Sequence, residues 1–318
     1  MKRVLVISYS QTGQLTSVAR SVAAPLCEHP GVEVVFETLR PIEPYPFPWP
    51  FLRFFDTFPE TVHGKPAPLS PLSIGDDGRF DLVILAYQVW FLSPSQPTMA
   101  FLKSAEAARL LPGKPVITVI ACRNMWLMAQ ETVKRRLADL GAHLIDNVVL
   151  TDRTHSAATF VSTPLWMLTG RKGPFLWGRI PAAGIDPVDV AASRRFGVAI
   201  ASGLQELDAA RPKSLLRGLG AVTVNERLIA SERIGQRSFK IWGRLLMGLG
   251  PPGSLLRRAV LCLYILFLAT MILTVAPVTA VIKRLFTPWM RERIARQRAY
   301  FAQPSGEANE AQGRLVHV

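Results

Sequence analysis

Five short apolar runs, separated by segments of helical periodicity, constrain the fold of this chain more than any other feature. The runs cover residues 2–8, 32–39, 80–87, 115–121 and 143–150. Helical patterns lie between or after them, at residues 14–28, 98–110 and 126–140 and from Asp186-Pro187 to residue 208. Strands that alternate with helices favour a parallel sheet with helices on both faces. We therefore predict a doubly wound, five-stranded α/β domain over residues 1–210, with ligands at the carboxyl ends of its strands.

Two insertions interrupt this frame. Residues 41–79 are rich in proline and hold seven aromatic residues between positions 45 and 58, and residues 153–185 mix four aromatic residues with basic ones. Aromatic residues beside basic ones are typical of a membrane interface. A lid packed over the sheet's own pocket is the other interpretation, and the two are compatible.

Residues 259–282 form a run of 24 residues without a charge. As a helix this run would be about 36 Å long, enough to cross a membrane core of roughly 30 Å. Basic pairs flank it, Arg257-Arg258 before and Lys283-Arg284 after, and the positive-inside rule would keep both flanks in the cytoplasm. A single span does not allow that, but Pro277 can kink the helix. A simple span, a re-entrant or interfacial segment, and a buried helix of a soluble domain all stay open.

The charge of the chain is concentrated in its last third. Residues 1–210 hold 20 Lys or Arg and 18 Asp or Glu, whereas residues 211–318 hold 17 and 5, a net charge of +12 out of +14. Because the basic residues bracket the apolar run, a membrane explains them better than a nucleic acid does. We predict a basic linker over residues 211–258, a membrane helix over 259–282 and a basic tail over 283–318 that is disordered at its end.

The beginning of the chain and its cysteines indicate a reducing compartment. The first apolar run ends at Ile7 and is too short for a signal peptide. Cys27, Cys122 and Cys262 form no CxxC motif and no even-numbered set. We therefore expect the N-terminal domain in the cytoplasm, where thiols stay reduced.

The loop that follows the first run, SYSQTGQ at residues 8–14, has the chemistry of an anion site. Loop amides and the dipole of the following helix favour a phosphate, and the hydroxyls of Ser10 and Thr12 can donate to its oxygens. Gly13 lets the backbone approach closely. The loop has no lysine, so it is no Walker A motif, and a phosphate monoester on a small cofactor fits better. An ordinary turn before a helix is the alternative.

This loop resembles the FMN-phosphate loop of the flavodoxin-like superfamily, and within it of the flavodoxin-type quinone and FMN reductases. Residues 87–95 (YQVWFLSPS) and 121–126 (ACRNMW) resemble the family's second and third flavin loops. The resemblance covers residues 2–151 and implies a flavodoxin-like fold, FMN as cofactor and NAD(P)H as candidate electron donor. Leu15 stands where the family usually has Thr or Ser. The cofactor residues implied are Ser10, Gln11, Thr12, Gly13, Gln14, Leu15, Thr16, Val89, Trp90, Phe91, Asn124 and Trp126, with Trp90 and Trp126 against the flavin ring.

The layout also resembles bacterial proteins labelled dialkylresorcinol condensing enzymes, which are associated with resorcinol and aryl-polyene lipid pigments. Condensation of the thiolase type needs a nucleophilic cysteine and histidine partners. Cys122 lies at a strand end, and His143 or His155 could approach it. A small residue near the pocket is the other interpretation of Cys122.

Three functions follow from these patterns. The first is an FMN-dependent oxidoreductase on the cytoplasmic face of the bacterial inner membrane, with lipid and a small apolar substrate (quinone, polyene or alkylated aromatic) as partners and no nucleic acid. The second is a condensing enzyme of lipid-pigment synthesis. The third is a non-catalytic flavodoxin-like membrane scaffold.

Other signals are weaker. The GxGxxG match at residues 248–253 follows no strand and contains prolines, which cannot donate amides to a pyrophosphate. The five histidines show no metal-ligand spacing. Lys134-Arg135-Arg136 is either a solvated helix face or a contact for a phosphate or a lipid.

Overall fold

The computed structural model describes residues 1–75, 79–154, 156–275 and 290–306. Its strands are β1 (Lys2–Ser8), β2 (Val32–Thr38), β3 (Leu82–Tyr87), the short pair β4 (Val89–Trp90) and β5 (Ser93–Pro94), β6 (Pro115–Cys122) and β7 (His143–Thr151). Five of them form one parallel sheet in the order β2-β1-β3-β6-β7. Counted along the five sheet strands this is the 2-1-3-4-5 order of flavodoxin-like sheets, whose switch point lies between β1 and β3. The predicted fold class is confirmed.

Both faces of the sheet are buried, which explains why the strands are apolar almost throughout. Side chains alternate between the faces, so that Val4 and Val6 lie in one core cluster and Leu5 and Ile7 in the other. Helices α1 (Gln14–Cys27), α8 (Pro187–Ala192) and α9 (Arg194–Leu204) lie on the first face. Helices α4 (Gln96–Leu102), α5 (Ala105–Leu110) and α6 (Leu127–Asp139) cover the second face.

Two predicted helices are each divided by a serine. The pattern at residues 98–110 is two helices, because the side chain of Ser104 caps α5 by accepting from the backbone N–H of Ala107. The last helix of the domain begins as predicted, with the Asp186 side chain accepting from the N–H of Val188, and is divided between α8 and α9 at Ser193. The insertions hold short helices as well: α2 (Phe51–Asp56) and α3 (Phe58–Val62) in the first, and α7 (Ser156–Thr169) in the second.

The stretch predicted as a basic linker differs from the prediction. It contains a 23-residue helix, α10 (Glu226–Gly248), and its residues Val222, Val224 and Ile229 are buried in the core of the domain. The carboxylate of Asp146 in β7 also accepts from the backbone N–H groups of Leu215 and Leu216, at 2.7 and 3.2 Å. Residues 214–248 therefore belong to the packed body, because Leu216 and Ala221 pack in the core of the first face and Val222, Val224 and Ile229 in that of the second.

The apolar segment begins earlier than predicted, as α11 (Leu255–Thr270), followed by a π-helical turn (Met271–Val275). Residues Leu255–Thr274 are long and apolar enough to cross a membrane, with a mean hydropathy of 2.0, and only 17% of that window is buried. The remainder of the predicted segment, with Pro277, lies outside the described residues. Arg257, counted above as a free flanking charge, is fully buried inside the protein.

The basic tail returns to the body. Helix α12 (Arg291–Ala302) is followed by Ser305, whose hydroxyl accepts from the N–H of Asn147 at 2.7 Å and donates to Asp146. Ser305 is fully buried, so residues 303–306 are ordered against β7 rather than part of a disordered end. Residues 283–289 and 307–318 of the predicted tail lie outside the described residues.

Candidate functional site

The site lies at the carboxyl ends of β1, β3 and β6, where three loops meet beside the switch point of the sheet. The first loop, residues 9–13, joins β1 to α1. Gly13 occupies the N-cap position of α1 with a φ of 80°, a left-handed conformation that favours glycine. A Cβ atom built on Gly13 would meet nothing within 4 Å, so the space beside this loop is open.

The first loop has donors without acceptors. No side chain of the described residues caps α1, so the N–H groups of its first turn, from Gln14 to Thr16, have no intrahelical acceptor. The hydroxyl of Ser10 is buried and has no hydrogen-bond partner in the described part of the chain. A buried hydroxyl without a partner costs about 1–3 kcal/mol, and an anion beside this loop would remove that cost.

Two glutamines of the loop have a different role from the one predicted. The side chain of Gln11 accepts from the indole N–H of Trp49 at 2.9 Å and donates to the carbonyl of Pro46 at 2.8 Å. The side chain of Gln14 donates to the carbonyl of Ile185 at 3.2 Å. Gln11 thus holds the first insertion, and Gln14 holds the end of the second, so both insertions are fastened beside the anion loop.

The side chain of Leu15 points into the core between α1 and the sheet, where it is 1% exposed. It cannot contact a ligand, and only its backbone N–H remains available for binding. The two neighbouring predicted hydroxyls, of Thr12 and Thr16, are both partly exposed. The correction for Leu15 follows from helix geometry, because position 15 faces the sheet together with Val18 and Val22.

The second loop does not present the ring face that was predicted. Trp90 is 8% exposed, and the ring centroids of Tyr9, Tyr45 and Trp49 lie 5.0–5.9 Å from its own, all close to edge-on. The first insertion therefore covers Trp90 with aromatic side chains. Val89 is partly exposed. Phe91 turns away from the sheet edge and packs with Phe54, Phe58 and Phe239.

The third loop offers polar groups rather than a tryptophan face. Trp126 is 2% exposed in the core, so the prediction that it packs on a ligand ring is not what the structure has. The side-chain oxygen of Asn124 is buried without a partner among the described residues. The Arg123 guanidinium lies 3.9 Å from the ring centroid of Phe160, and burial lowers the pKa of this arginine. Arg123 and Asn124 are thus the polar side chains that this loop brings to the edge of the sheet.

Asp152 fastens the second insertion to the third loop. Its N–H donates to the carbonyls of Cys122 and Arg123 at 3.2 and 3.1 Å. Its carboxylate accepts from the N–H groups of Thr154 and Gly184, both at 2.9 Å. Together with the bond from Gln14, these contacts fasten both ends of residues 153–185 to the loops, as a lid would require, and Trp177 in the same insertion is 99% exposed.

Cys122 does not have the environment of a nucleophile. Burial, and secondly the carboxylate of Glu232, raise the pKa of this thiol well above its ordinary value, so the thiol is neutral at physiological pH. His143 begins β7, whereas Cys122 pairs with Thr151 at the end of that strand, so the histidine lies at the opposite edge of the sheet. His155 lies outside the described residues.

Glu232 is the titratable residue that sequence reasoning missed. It is fully buried on α10, accepts from the N–H of Met128 at 2.7 Å at the start of α6, and leaves its Oε2 without a partner among residues 1–75, 79–154, 156–275 and 290–306. Burial raises its pKa to about 7. Nothing in the local pattern marks this residue, since acidic side chains on basic amphipathic helices are usually solvated. Its position depends on how α10 packs beside α6.

The described residues contain no group of three or more His, Cys, Asp or Glu side chains that could hold a metal ion. Ser93 and Pro94 of the second loop line one of the two described cavities, and the other lies away from the three loops. One is lined by α3, α4, α6 and α10, and the other by the start of β7 and residues 210–217.

No family model and no curated protein matches the chain. Among solved structures it is similar to a flavoprotein in complex with FMN from Lactobacillus acidophilus (15% identity, 47% of this chain and 93% of that one, TM-score 0.38). It is also similar to a WrbA-like flavodoxin from Agrobacterium tumefaciens (11%, 65% and 99%, 0.37) and to flavodoxin 1 from Bacillus cereus (15%, 65% and 100%, 0.33). These identities and TM-scores carry no argument about function. The strand order and register of the chain itself show that it has a flavodoxin-like fold.

Proposed function

We propose that this chain is a flavodoxin-like oxidoreductase that binds FMN and acts at a membrane surface on an apolar substrate, such as a quinone, a polyene or an alkylated aromatic. The observation that carries the FMN part is the Ser10 hydroxyl, which is buried before an uncapped helix N-terminus and has no partner among the residues that the structure describes. A phosphate supplies the acceptor that this hydroxyl and the first-turn amides lack. The topology agrees, because sheets of this strand order bind FMN at the switch point between the first and third strands.

The loops fit the two ends of FMN unequally. Ser10, Gly13 and the amides of the first turn fit the phosphate, and the bonds of Gln11 and Gln14 to the insertions hold the loop in place. The side-chain oxygen of Asn124 and the Arg123 guanidinium fit the polar edge of the ring. FMN, when bound, supplies one- or two-electron transfer. The protein would bind and orient FMN, and the two insertions would exclude water from it. NAD(P)H as the electron donor rests on the family resemblance alone.

The membrane part of the proposal rests on α11. Leu255, Leu263, Leu266 and Leu273 are each more than half exposed on a helix of membrane-spanning length. The segments on both sides of the apolar run pack on the same domain, through Arg257 before it and Ser305 after it. We therefore propose that the segment enters and leaves the membrane on one side, which is the re-entrant or interfacial arrangement rather than the simple span.

A non-catalytic membrane scaffold is the second candidate function, and the covered rings of Trp90 and Trp126 favour it. The condensing enzyme of lipid-pigment synthesis has no such observation in its favour. A reaction through Cys122 would need a thiolate and a nearby base, whereas the pKa of this thiol is raised well above its ordinary value and His143 lies at the other end of β7.

A pair of serine variants tests the FMN proposal. Ser10→Ala removes one hydrogen bond to the phosphate, and we expect it to weaken FMN binding about 10- to 100-fold in a titration of the full chain. Ser17→Ala is the control, since the exposed Ser17 hydroxyl bonds only to the carbonyl of Gly13 and its loss should leave the Kd unchanged. Without FMN, Ser10→Ala should be at least as stable as the wild type, because it removes a buried hydroxyl that has no partner. Equal FMN binding by both variants would contradict the proposed role of Ser10.

A further inference from the structure

A cavity of about 330 Å³ lies on the second face of the sheet and is lined on one side by Ser93 and Pro94, at the end of the second loop. The ends of four helices form it: the end of α3, the end of α4, the last turns of α6 and the second half of α10. Four cationic side chains and one carboxylate line it, namely Lys103, Arg135, Arg136, Lys240 and Asp139. The cavity therefore has a formal charge of about +3.

The protein compensates little of this charge. Asp139 pairs with Arg136 at 3.6 Å, and both side chains are substantially exposed. The Lys103 ammonium donates to the carbonyl of Gly64, and burial together with the nearby Arg136 lowers the pKa of Lys103. Arg135 and Lys240 form no ion pair within the part of the chain that the structure describes. An anion in the cavity would therefore relieve repulsion that the protein itself leaves in place.

The cavity adjoins the base of the apolar helix. The Nε2 of His63 donates to the carbonyl of Lys240 at 2.9 Å, so the end of α3 is fixed against α10 at the cavity wall. One turn further along α10, a Cβ atom on Gly243 would lie 3.0 Å from the side chain of Val62, so glycine permits this close packing. Val62 in turn belongs to an apolar cluster with Leu261 of α11. Val62 therefore both lines the cavity and packs on α11, and Lys240 lies about one helix turn from Gly243, which contacts Val62.

We propose that this cavity is a second anion site, which binds a phosphate group, most favourably that of an anionic membrane lipid. Arginine guanidinium groups bind phosphate through paired N–H donors, and Lys103 and Lys240 add point charges from the other two walls. The site is distinct from the anion loop, because none of residues 9–13 lines the cavity and Arg135 is eight residues, about 12 Å, along α6 from the start of that helix. A lipid bound here would orient the domain on the membrane beside α11. This resolves the two interpretations of Lys134-Arg135-Arg136 in favour of a phosphate contact through Arg135 and Arg136.

The test is the thermal unfolding of the full-length protein in neutral detergent micelles, with and without phosphatidic acid. We expect a saturating amount of this lipid to raise the midpoint by about 4 °C. A triple variant, Arg135→Gln with Arg136→Gln and Lys240→Gln, should lose the shift. A matched triple variant of exposed arginines on other surfaces, Arg20→Gln with Arg40→Gln and Arg195→Gln, has the same change in charge and should keep it.

Two further experiments sharpen this test. One separates binding in the cavity from FMN binding, and the other separates a lipid from a soluble phosphate. The shift should persist in Ser10→Ala, so its fate does not depend on FMN binding. A shift with phosphatidic acid but not with inorganic phosphate identifies a lipid, and equal shifts with both identify a soluble phosphate in the same site. The single variant Lys240→Gln, whose side chain is exposed, should lose part of the shift even if the triple variant does not fold. The proposal is wrong if the wild type shows no shift or if the cavity variants keep all of it.

Discussion

Ser10 and Glu232 each have one buried side-chain oxygen without a hydrogen-bond partner in the described part of the chain, but they differ in what would satisfy that oxygen. A hydroxyl lacks an acceptor, which a phosphate can supply, whereas a buried carboxylate is stabilised most simply by a proton. Burial raises the pKa of Glu232 from its ordinary value near 4.5 to about 7. The protonated form is therefore favoured in the folded protein at a pH where the unfolded chain is already ionised.

The raised pKa of Glu232 makes the stability of the folded protein depend on pH in a defined direction. Between about pH 4.5 and pH 7 the folded state binds more protons at Glu232 than the unfolded state, so stability falls as the pH rises through this window. We predict that Glu232→Gln is more stable than the wild type at pH 8, by about 2–3 kcal/mol in denaturant unfolding. At pH 5 the two should differ by less than about 1 kcal/mol. Glu206→Gln, at an exposed position, is the control, and its stability relative to the wild type should not change between pH 5 and pH 8. A difference between Glu232→Gln and the wild type that is the same at all pH values would contradict the prediction.

For individual residues, the chemistry of the site could be predicted from the sequence better than the directions of its side chains. Ser10 and Gly13 could be identified because the order strand, loop, helix places them by local geometry alone. Gln11, Gln14 and Trp90 could not be placed, since their partners are in insertions 35 to 171 residues away along the chain. Leu15 could have been excluded from a helical wheel, because it shares its face with Val18 and Val22.

Among the elements, the first turn of α11 is joined to the first insertion by a buried network of ion pairs. The Arg257 guanidinium donates to both carboxylate oxygens of Glu60 at 2.7 Å and to the carboxylate of Asp56 at 2.6 Å. Asp56 also accepts from the N–H of Gly253. The first insertion therefore not only packs on Trp90 but also supplies the two carboxylates that let an arginine be buried at the start of α11.

Removing one member of this network should cost more than replacing all of it. We predict that Arg257→Met destabilises the protein by about 3–5 kcal/mol, because it leaves Asp56 and Glu60 without their counter-charge. Adding Asp56→Asn and Glu60→Gln should restore much of the loss. The neighbouring Arg258→Met is the control, since Arg258 is exposed, and its unfolding should match that of the wild type. Equal unfolding of Arg257→Met and Arg258→Met would show that the network contributes little.

The strands and domain helices could be predicted because their patterns are regular and both faces of the sheet are buried. Helix α10 was missed because its basic residues obscure the apolar positions that pack on the second face. Arg257 was counted as a flanking charge because a buried ion pair leaves no local signal. The start of the membrane segment was therefore predicted too late in the chain.

For the whole molecule, the return of α12 to the domain is the basis of the proposed one-sided membrane arrangement. The Arg298 guanidinium pairs with Glu226 at 2.9 Å, the Tyr300 hydroxyl donates to Glu131 at 2.8 Å, and Ser305 is buried against β7. A tail on the far side of a membrane could make none of these contacts. The excess of basic residues on both flanks, which a single span leaves unexplained, agrees with this arrangement.

Labelling of single cysteines tests this topology. In a protein whose native cysteines are replaced by serine, we predict that Ser17→Cys in α1 and Arg296→Cys in α12 react with a membrane-impermeant maleimide from the same side of sealed membrane vesicles. Both positions are exposed on the protein surface, so neither is hidden by the fold. Reaction of the two cysteines from opposite sides would establish a simple span and contradict the docking of α12.

The central claim is that the anion loop holds the phosphate of FMN, and the most direct measurement is an absorbance titration of the detergent-purified chain with FMN and, separately, with riboflavin. We predict a saturable change in the visible spectrum at one FMN per chain. Riboflavin, which has no phosphate, should bind at least about tenfold more weakly, since it leaves Ser10 and the first-turn amides without an acceptor. No spectral change with FMN, or equal binding of the two flavins, would contradict the account and favour the scaffold.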